Sequence, residues 1–167
     1  MAPHHFERSA LVNTSPEEAF AFIDDHARFS SHMNESSWMM GGGRMSVELD
    51  AAKGQAVGSR VSLCGRVFGV RLSVDEVVTQ REPPTNKVWK TVGAPRLLVI
   101  GAYTMGVEIT PVDGETRVRV FIDYELPKAW TTYWLGMLFS RIYAGWCVDQ
   151  MLNGVRKTFA SRHPLAA

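Results

Sequence analysis

From Trp130 to Phe159 the chain runs thirty residues without a proline, and this stretch constrains the fold more than any other. At 100° per residue, Trp130, Met137, Arg141, Val148, Val155 and Phe159 fall within one narrow arc, the face expected to meet a sheet. Opposite them stand Leu135, Phe139, Ile142 and Trp146 in the first half, but Gln150, Asn153 and Lys157 in the second. The first half therefore reads as apolar on every side. Such a helix is buried, in contact with a partner, or touching lipid. Thr131 to Val148 is just long enough to be tested as a membrane span. Arg141 lies past its middle, where a charge costs about 3 kcal/mol on insertion scales, and Thr131, Thr132, Ser140 and two glycines dilute the apolar run. A docked or surface-lying helix fits better.

The rest of the chain supplies what such a helix docks on. Phe6 to Val12 reads as a first strand. Ser15-Pro16-Glu17-Glu18 starts a helix: Ser15 caps the free amides, Pro16 suits the first helical position, and Glu18 stands at the capping-box return position. This helix is expected to run to about Asp25, with His26 to Met33 forming a second short one. After Gly41-Gly42-Gly43 six strands are expected, at 44–51, 58–65, 68–80, 86–93, 99–111 and 116–126, with a tight hairpin at Asp113-Gly114 and a break at Pro83-Pro84. There is no internal repeat and no linker, so residues 1–167 read as one domain, of a size that buries roughly 70% of its unfolded surface. The fold class is α+β: a curved seven-stranded antiparallel sheet packed around a long C-terminal helix, with two short helices between strands 1 and 2. A curved sheet gripping one helix leaves space between them, and such clefts hold apolar ligands.

Composition and spacing narrow the function. A net charge of +1 with 21% charged residues gives no basic face for nucleic acid. Cys64 and Cys147 have no metal or redox spacing, and Met1 to Leu11 contains no long apolar run, so a reduced, cytoplasmic setting is the simplest expectation. His26 and His32, six apart with Asp24, Asp25 and Glu35 nearby, read as capping and packing groups rather than as metal ligands. The glycine run lacks the lysine and hydroxyl residue of a phosphate loop and reads as a flexible loop at a cavity mouth. Trp38, Met39 and Met40 beside it either line that mouth or fill core.

On these residues the chain resembles the START-like superfamily, also called SRPBCC or helix-grip proteins, which includes polyketide cyclase-like and lipid-transfer-like members. The resemblance rests on Thr14-Ser15-Pro16-Glu17-Glu18-Ala19-Phe20, Asp25-His26, His32-Met33, Gly58-Ser59-Arg60-Val61, Glu82-Pro83-Pro84 to Lys87-Val88-Trp89, and Asp123-Tyr124-Glu125-Leu126-Pro127. It implies a hydrophobic cavity between sheet and helix, in proteins that bind lipids, sterols, polyketides or aromatic compounds, some of which catalyse cyclisation or dehydration.

Strand alternation predicts the lining. Val118, Val120, Ile122, Tyr124 and Leu126 share one face, as do Tyr103, Met105, Val107 and Ile109, while Leu72 and Val74 extend the set with a bulge expected at Val77-Val78. Of groups suited to proton transfer this parity offers Tyr103, Tyr124 and, if the bulge permits, Glu76. No catalytic signature is present, and no cofactor or metal is called for. The expected function is binding or transport of a small hydrophobic ligand, with Trp89, Tyr103, Met105, Tyr124, Trp134, Met137 and Arg141 as ligand-binding residues. Arg141 has two readings: its stem packs on the sheet while the guanidinium pairs with a strand carboxylate or reaches water, or it anchors a ligand carboxylate or phosphate. A cyclase or dehydratase-like enzyme and a membrane-associated or partner-binding module are the alternatives. For the second, Leu135, Phe139, Ile142 and Trp146 would meet a homodimer partner or a membrane surface, unless the chain's own loops cover them.

Overall fold

The computed structural model describes residues 3–29 and 44–160. In chain order these are β1 (His4–Val12), α1 (Pro16–Asp24), α2 (His26–Phe29), β2 (Arg44–Leu49), β3 (Arg60–Val67), β4 (Val70–Glu82), β5 (Asn86–Arg96), β6 (Tyr103–Val112), β7 (Glu115–Tyr124) and α3 (Trp130–Ala160). The strands form one antiparallel sheet in the order β1-β7-β6-β5-β4-β3-β2. His32, Met33, Glu35, Trp38, Met39, Met40 and the glycine run lie outside the described residues.

Local chemistry sets the element ends. The Ser15 hydroxyl accepts the Glu18 amide proton at 3.2 Å with Pro16 at the first helical position, as the sequence implies, while the Glu18 carboxylate takes the Thr14 hydroxyl. Asp25 then accepts the Arg28 amide at 3.1 Å and starts α2. The hairpin turns at Phe68-Gly69 and Asp113-Gly114 each place two residues at positive φ, the geometry that continues strand twist through a two-residue loop. Strand starts fall within two residues of expectation except in β6. Phe68 belongs to a turn rather than to β4, and β6 begins at Tyr103, so 97–102 forms a connection of its own.

Strand parity places the core. Val107, Val118 and Val120 are fully buried, and Met105, Ile109, Ile122 and Tyr124 nearly so. Leu72, Val74, Glu76 and Val78 alternate onto the buried face, and the register shifts against β5 fall between Ser73 and Asp75 and between Val78 and Gln80. Beyond Lys90 and Thr104, β5 and β6 stop pairing, and residues 97–102 pass across the gap.

The covered side of α3 departs from the fixed arc expected. Val148, Val155 and Phe159 are buried, but Trp130 is 83% and Met137 49% exposed, and Arg141 is exposed. The buried row of the first half is Gly136, Ser140 and Ala144, continuing into Val148 and Leu152. Steps of four residues advance the covered side by about 40° each, so the line of contact winds around the helix as α3 crosses β1 and β7. Small residues occupy the row because the approach is close. A Cβ at Gly136 would stand 2.5 Å from Pro127 Cδ, and one at Gly145 3.2 Å from Phe6 Cζ.

One buried ion cluster ties α1 to the sheet. Lys87 Nζ lies 3.2 Å from Asp24 Oδ1 and donates to the Asp24 carbonyl at 3.1 Å, while Arg81 forks onto both carboxylate oxygens at 3.0 and 2.8 Å. Burial alone would raise the Asp24 carboxyl, but the hydrogen bonds and charges of Arg81 and Lys87 hold it below its ordinary value. Burial lowers the Lys87 ammonium, and Asp24 offsets part of that.

Asp24→Asn, by leaving Lys87 buried and unpaired, should cost about 3–5 kcal/mol in urea unfolding at neutral pH. Because a lowered carboxyl stabilises the fold only while ionised, the gap between wild type and variant should shrink as pH falls below the ordinary carboxylate range. Gly136→Ala should lower Tm despite the better helix propensity of alanine, at a cost of about 1–3 kcal/mol from overpacking. Gly154→Ala, whose Cβ would meet Phe22 Cζ at 3.9 Å, should instead gain up to about 1 kcal/mol.

Candidate functional site

Two adjoining cavities lie between the sheet and α3. The outer one, about 520 Å³, is walled by Val67, Phe68 and Leu72 at the β3–β4 hairpin, by Leu97 to Ile100, and by Leu135, Phe139 and Ile142 of α3. Its volume falls in the range of small-molecule sites. The inner one, about 50 Å³, is reached past Met45, Leu97, Ile100 and Tyr143, which line both. That is room for roughly three to five water-sized groups, at roughly 10–15 Å³ each.

The inner chamber carries the polar groups. Glu76 projects from β4, Tyr103 from the start of β6 and His26 from α2, and the Tyr103 hydroxyl donates to Glu76 Oε1. His26 Nε2 stands 3.6 Å from Glu76 Oε2, near enough for charge attraction and too far for a hydrogen bond. Its ring meets Trp89 edge-on at 5.3 Å. Glu76 Oε2 and His26 Nδ1 are buried and find no hydrogen-bond partner among the described residues. Burial, reinforced by the neighbouring Glu76 carboxylate, pushes the Tyr103 phenol well above its ordinary value, so it stays a donor throughout the physiological range. Burial does the same to Tyr143, with the adjacent Cys147 adding to it.

The residues named from sequence divide sharply. Trp89, Tyr103 and Met105 come together on the inner chamber. Tyr124 is buried beside them, opposite Tyr103 in register and stacked under His4 at 5.4 Å, but lines neither cavity. Trp134, Met137 and Arg141 do not reach the cavities: the two apolar residues are about half exposed, and the Arg141 guanidinium lies 6.0 Å from the centre of the Phe6 ring on β1. The opposite stripe is the one that lines a cavity. Leu135, Phe139 and Ile142 are partly exposed at the outer rim, while Trp146 is half-buried against core side chains and Tyr143. Sequence reasoning also missed His26, Tyr143, Cys147 and the 97–100 segment as lining residues. Four consecutive apolar residues, Leu97 to Ile100, were the available signal, since a strand with one wet face alternates.

The two thiols separate on the same grounds. Cys64 is exposed, whereas burial pushes Cys147 up to about 12, partly offset by its hydrogen bond to Tyr143. A thiol reagent at pH 8 should therefore modify one cysteine per native chain and two after unfolding, and the folded Cys64→Ser variant should be inert.

The sequence and the fold match known proteins. Residues 3–158 match the family model described as Polyketide cyclase / dehydrase and lipid transport. The Zhui aromatase/cyclase from Streptomyces sp. R1128 superposes with a TM-score of 0.72 at 13% identity, covering 98% of each chain. Norcoclaurine synthase from Thalictrum flavum gives 0.66 at 10% identity, over 96% of this chain and 95% of that one. A major latex-like protein from Panax ginseng gives 0.61 at 14% identity, over 98% and 100%. No curated protein is significantly similar in sequence. Among the described residues no helix is long and apolar enough to cross a membrane. The match over nearly the whole length makes the chain a member of the polyketide cyclase / dehydrase and lipid transport family, built on the helix-grip fold.

Proposed function

We propose that this protein binds a small, largely apolar molecule between the sheet and α3, with the body in the outer cavity and one end in the inner chamber. The observation that carries this reading is the pairing of the two spaces. A volume of about 520 Å³ lined almost wholly by apolar side chains opens onto a chamber of about 50 Å³ whose polar atoms sit at one place. Apolar lining with a few convergent polar groups is what a ligand site requires. Trp89, Tyr103 and Met105 would hold the inner end, and Leu97, Leu98, Phe139 and Ile142 the body.

A second reading, an enzyme of the cyclase or dehydratase kind, draws on Glu76, Tyr103 and His26, which together form a buried group able to hold or move a proton. Tyr124, the other tyrosine suited to that role by parity, lines neither cavity. Turnover that survives both Glu76→Gln and Tyr103→Phe would remove this reading.

The binding reading is tested with Nile red, a neutral apolar dye. It should bind one molecule per chain with a blue-shifted emission. Leu98→Trp, which fills the outer cavity from a half-buried position, should weaken that binding about tenfold or more while Tm changes by only a few degrees. Unchanged binding in Leu98→Trp would place the dye elsewhere and sink the proposal.

A further inference from the structure

We infer that the molecule bound here is headed by a neutral or cationic hydrogen-bond donor, a phenol, alcohol or amine, which Glu76 Oε2 receives at the end of the inner chamber. This rests on the ligand-cavity reading and goes beyond it by naming the chemistry of the ligand's end. Glu76 is 4% exposed. One of its oxygens is already taken by Tyr103, whose phenol burial keeps protonated. The other accepts no hydrogen bond among the described residues, and His26 Nε2 stands 3.6 Å away, beyond hydrogen-bond reach. A buried acceptor left unmade costs about 1–3 kcal/mol, and a ligand that brings an O–H or N–H recovers that cost.

The surroundings decide against the opposite chemistry. Among the described residues no lysine or arginine lines either cavity. Lys87, the nearby buried cation, is engaged by Asp24, and Arg141 lies against Phe6. A carboxylate or phosphate head would meet the Glu76 carboxylate in an enclosed space with no lysine or arginine among the described lining residues to offset the repulsion, and His26 already stands against Glu76. The chamber volume of about 50 Å³ also admits only a small head. Trp89 and Tyr103 offer ring surface beside it, which suits an aromatic edge bearing a hydroxyl or amine.

Three probes with one body test this at pH 7 on the full chain: 2-naphthol, 2-methylnaphthalene and 2-naphthoate, followed by calorimetry or intrinsic fluorescence. Wild type should bind 2-naphthol about tenfold more tightly than 2-methylnaphthalene, and 2-naphthoate more weakly than either. In Glu76→Leu the advantage of 2-naphthol should vanish while 2-methylnaphthalene binds at least as well as before, with Nile red stoichiometry showing that the cavity persists. Equal or tighter binding of 2-naphthoate by wild type would overturn the inference, as would a naphthol advantage that survives Glu76→Leu. Binding of 2-methylnaphthalene with no gain for 2-naphthol would overturn the head assignment alone. Failure of Nile red and 2-methylnaphthalene alike would remove the ligand cavity, and this inference with it.

Discussion

A single helix is narrower than the sheet it covers, and the rest of the molecule follows from that mismatch. Seven strands at about 4.8 Å spacing make a surface nearly 30 Å across, whereas a helix with its side chains spans about 10–12 Å. α3 lies over β1 and β7, with Gly145 close against Phe6 of β1 and Gly136 against Pro127 just past β7. The apolar face of β2, β3 and β4 is left to find other cover. It forms its own buried cluster of Met45, Val61, Leu63, Val67, Leu72 and Val74, and the two cavities open between that cluster and the core around β1, β6 and β7. Residues 97–102, released where β5 and β6 part, contribute cavity wall to both.

The buried polar groups show what such an arrangement demands. Asp24, Arg81 and Lys87 satisfy one another and join α1 to β4 and β5, so removing one partner is costly. Glu76 is treated differently. It keeps one hydrogen bond, from Tyr103, and lacks the second. An unmet acceptor in a core is a standing cost, and this one belongs to a residue on a chamber wall rather than in closed packing. The same fold thus uses one carboxylate to hold elements together and another to face a cavity.

Most of the fold was legible in the sequence because period-two patterns report sheet faces directly. Val118, Val120 and Ile122, with Met105, Val107 and Ile109 in the neighbouring strand, point where their alternation says. The helix was harder. Val148 and Phe159 follow the expected arc, but the contact line winds, so Met137 and Arg141 turn away from the sheet while Leu135, Phe139 and Ile142 reach the cavity rim. An arc drawn parallel to the axis has no access to the crossing geometry, and Gly136 and Gly145 carry no hydrophobic signal although they mark close approaches of the helix to Pro127 and Phe6. Within the site, Tyr103 and Met105 were visible from parity. Glu76 depended on where a bulge fell, and His26 came from a helix with no periodicity to orient it.

The central claim is that the uncovered part of the sheet is a place where a small apolar molecule resides. Methyl-resolved NMR during titration with an apolar dye reads this directly. The account predicts shifts at Met45, Leu97, Leu98, Ile100 and Ile142, which line the cavities, with Val118 and Val120 in the closed core and Leu138 on the exposed side of α3 unmoved. Shifts centred on Met137 and Leu138, with the cavity methyls silent, would contradict it and make the outer face of the helix the binding surface.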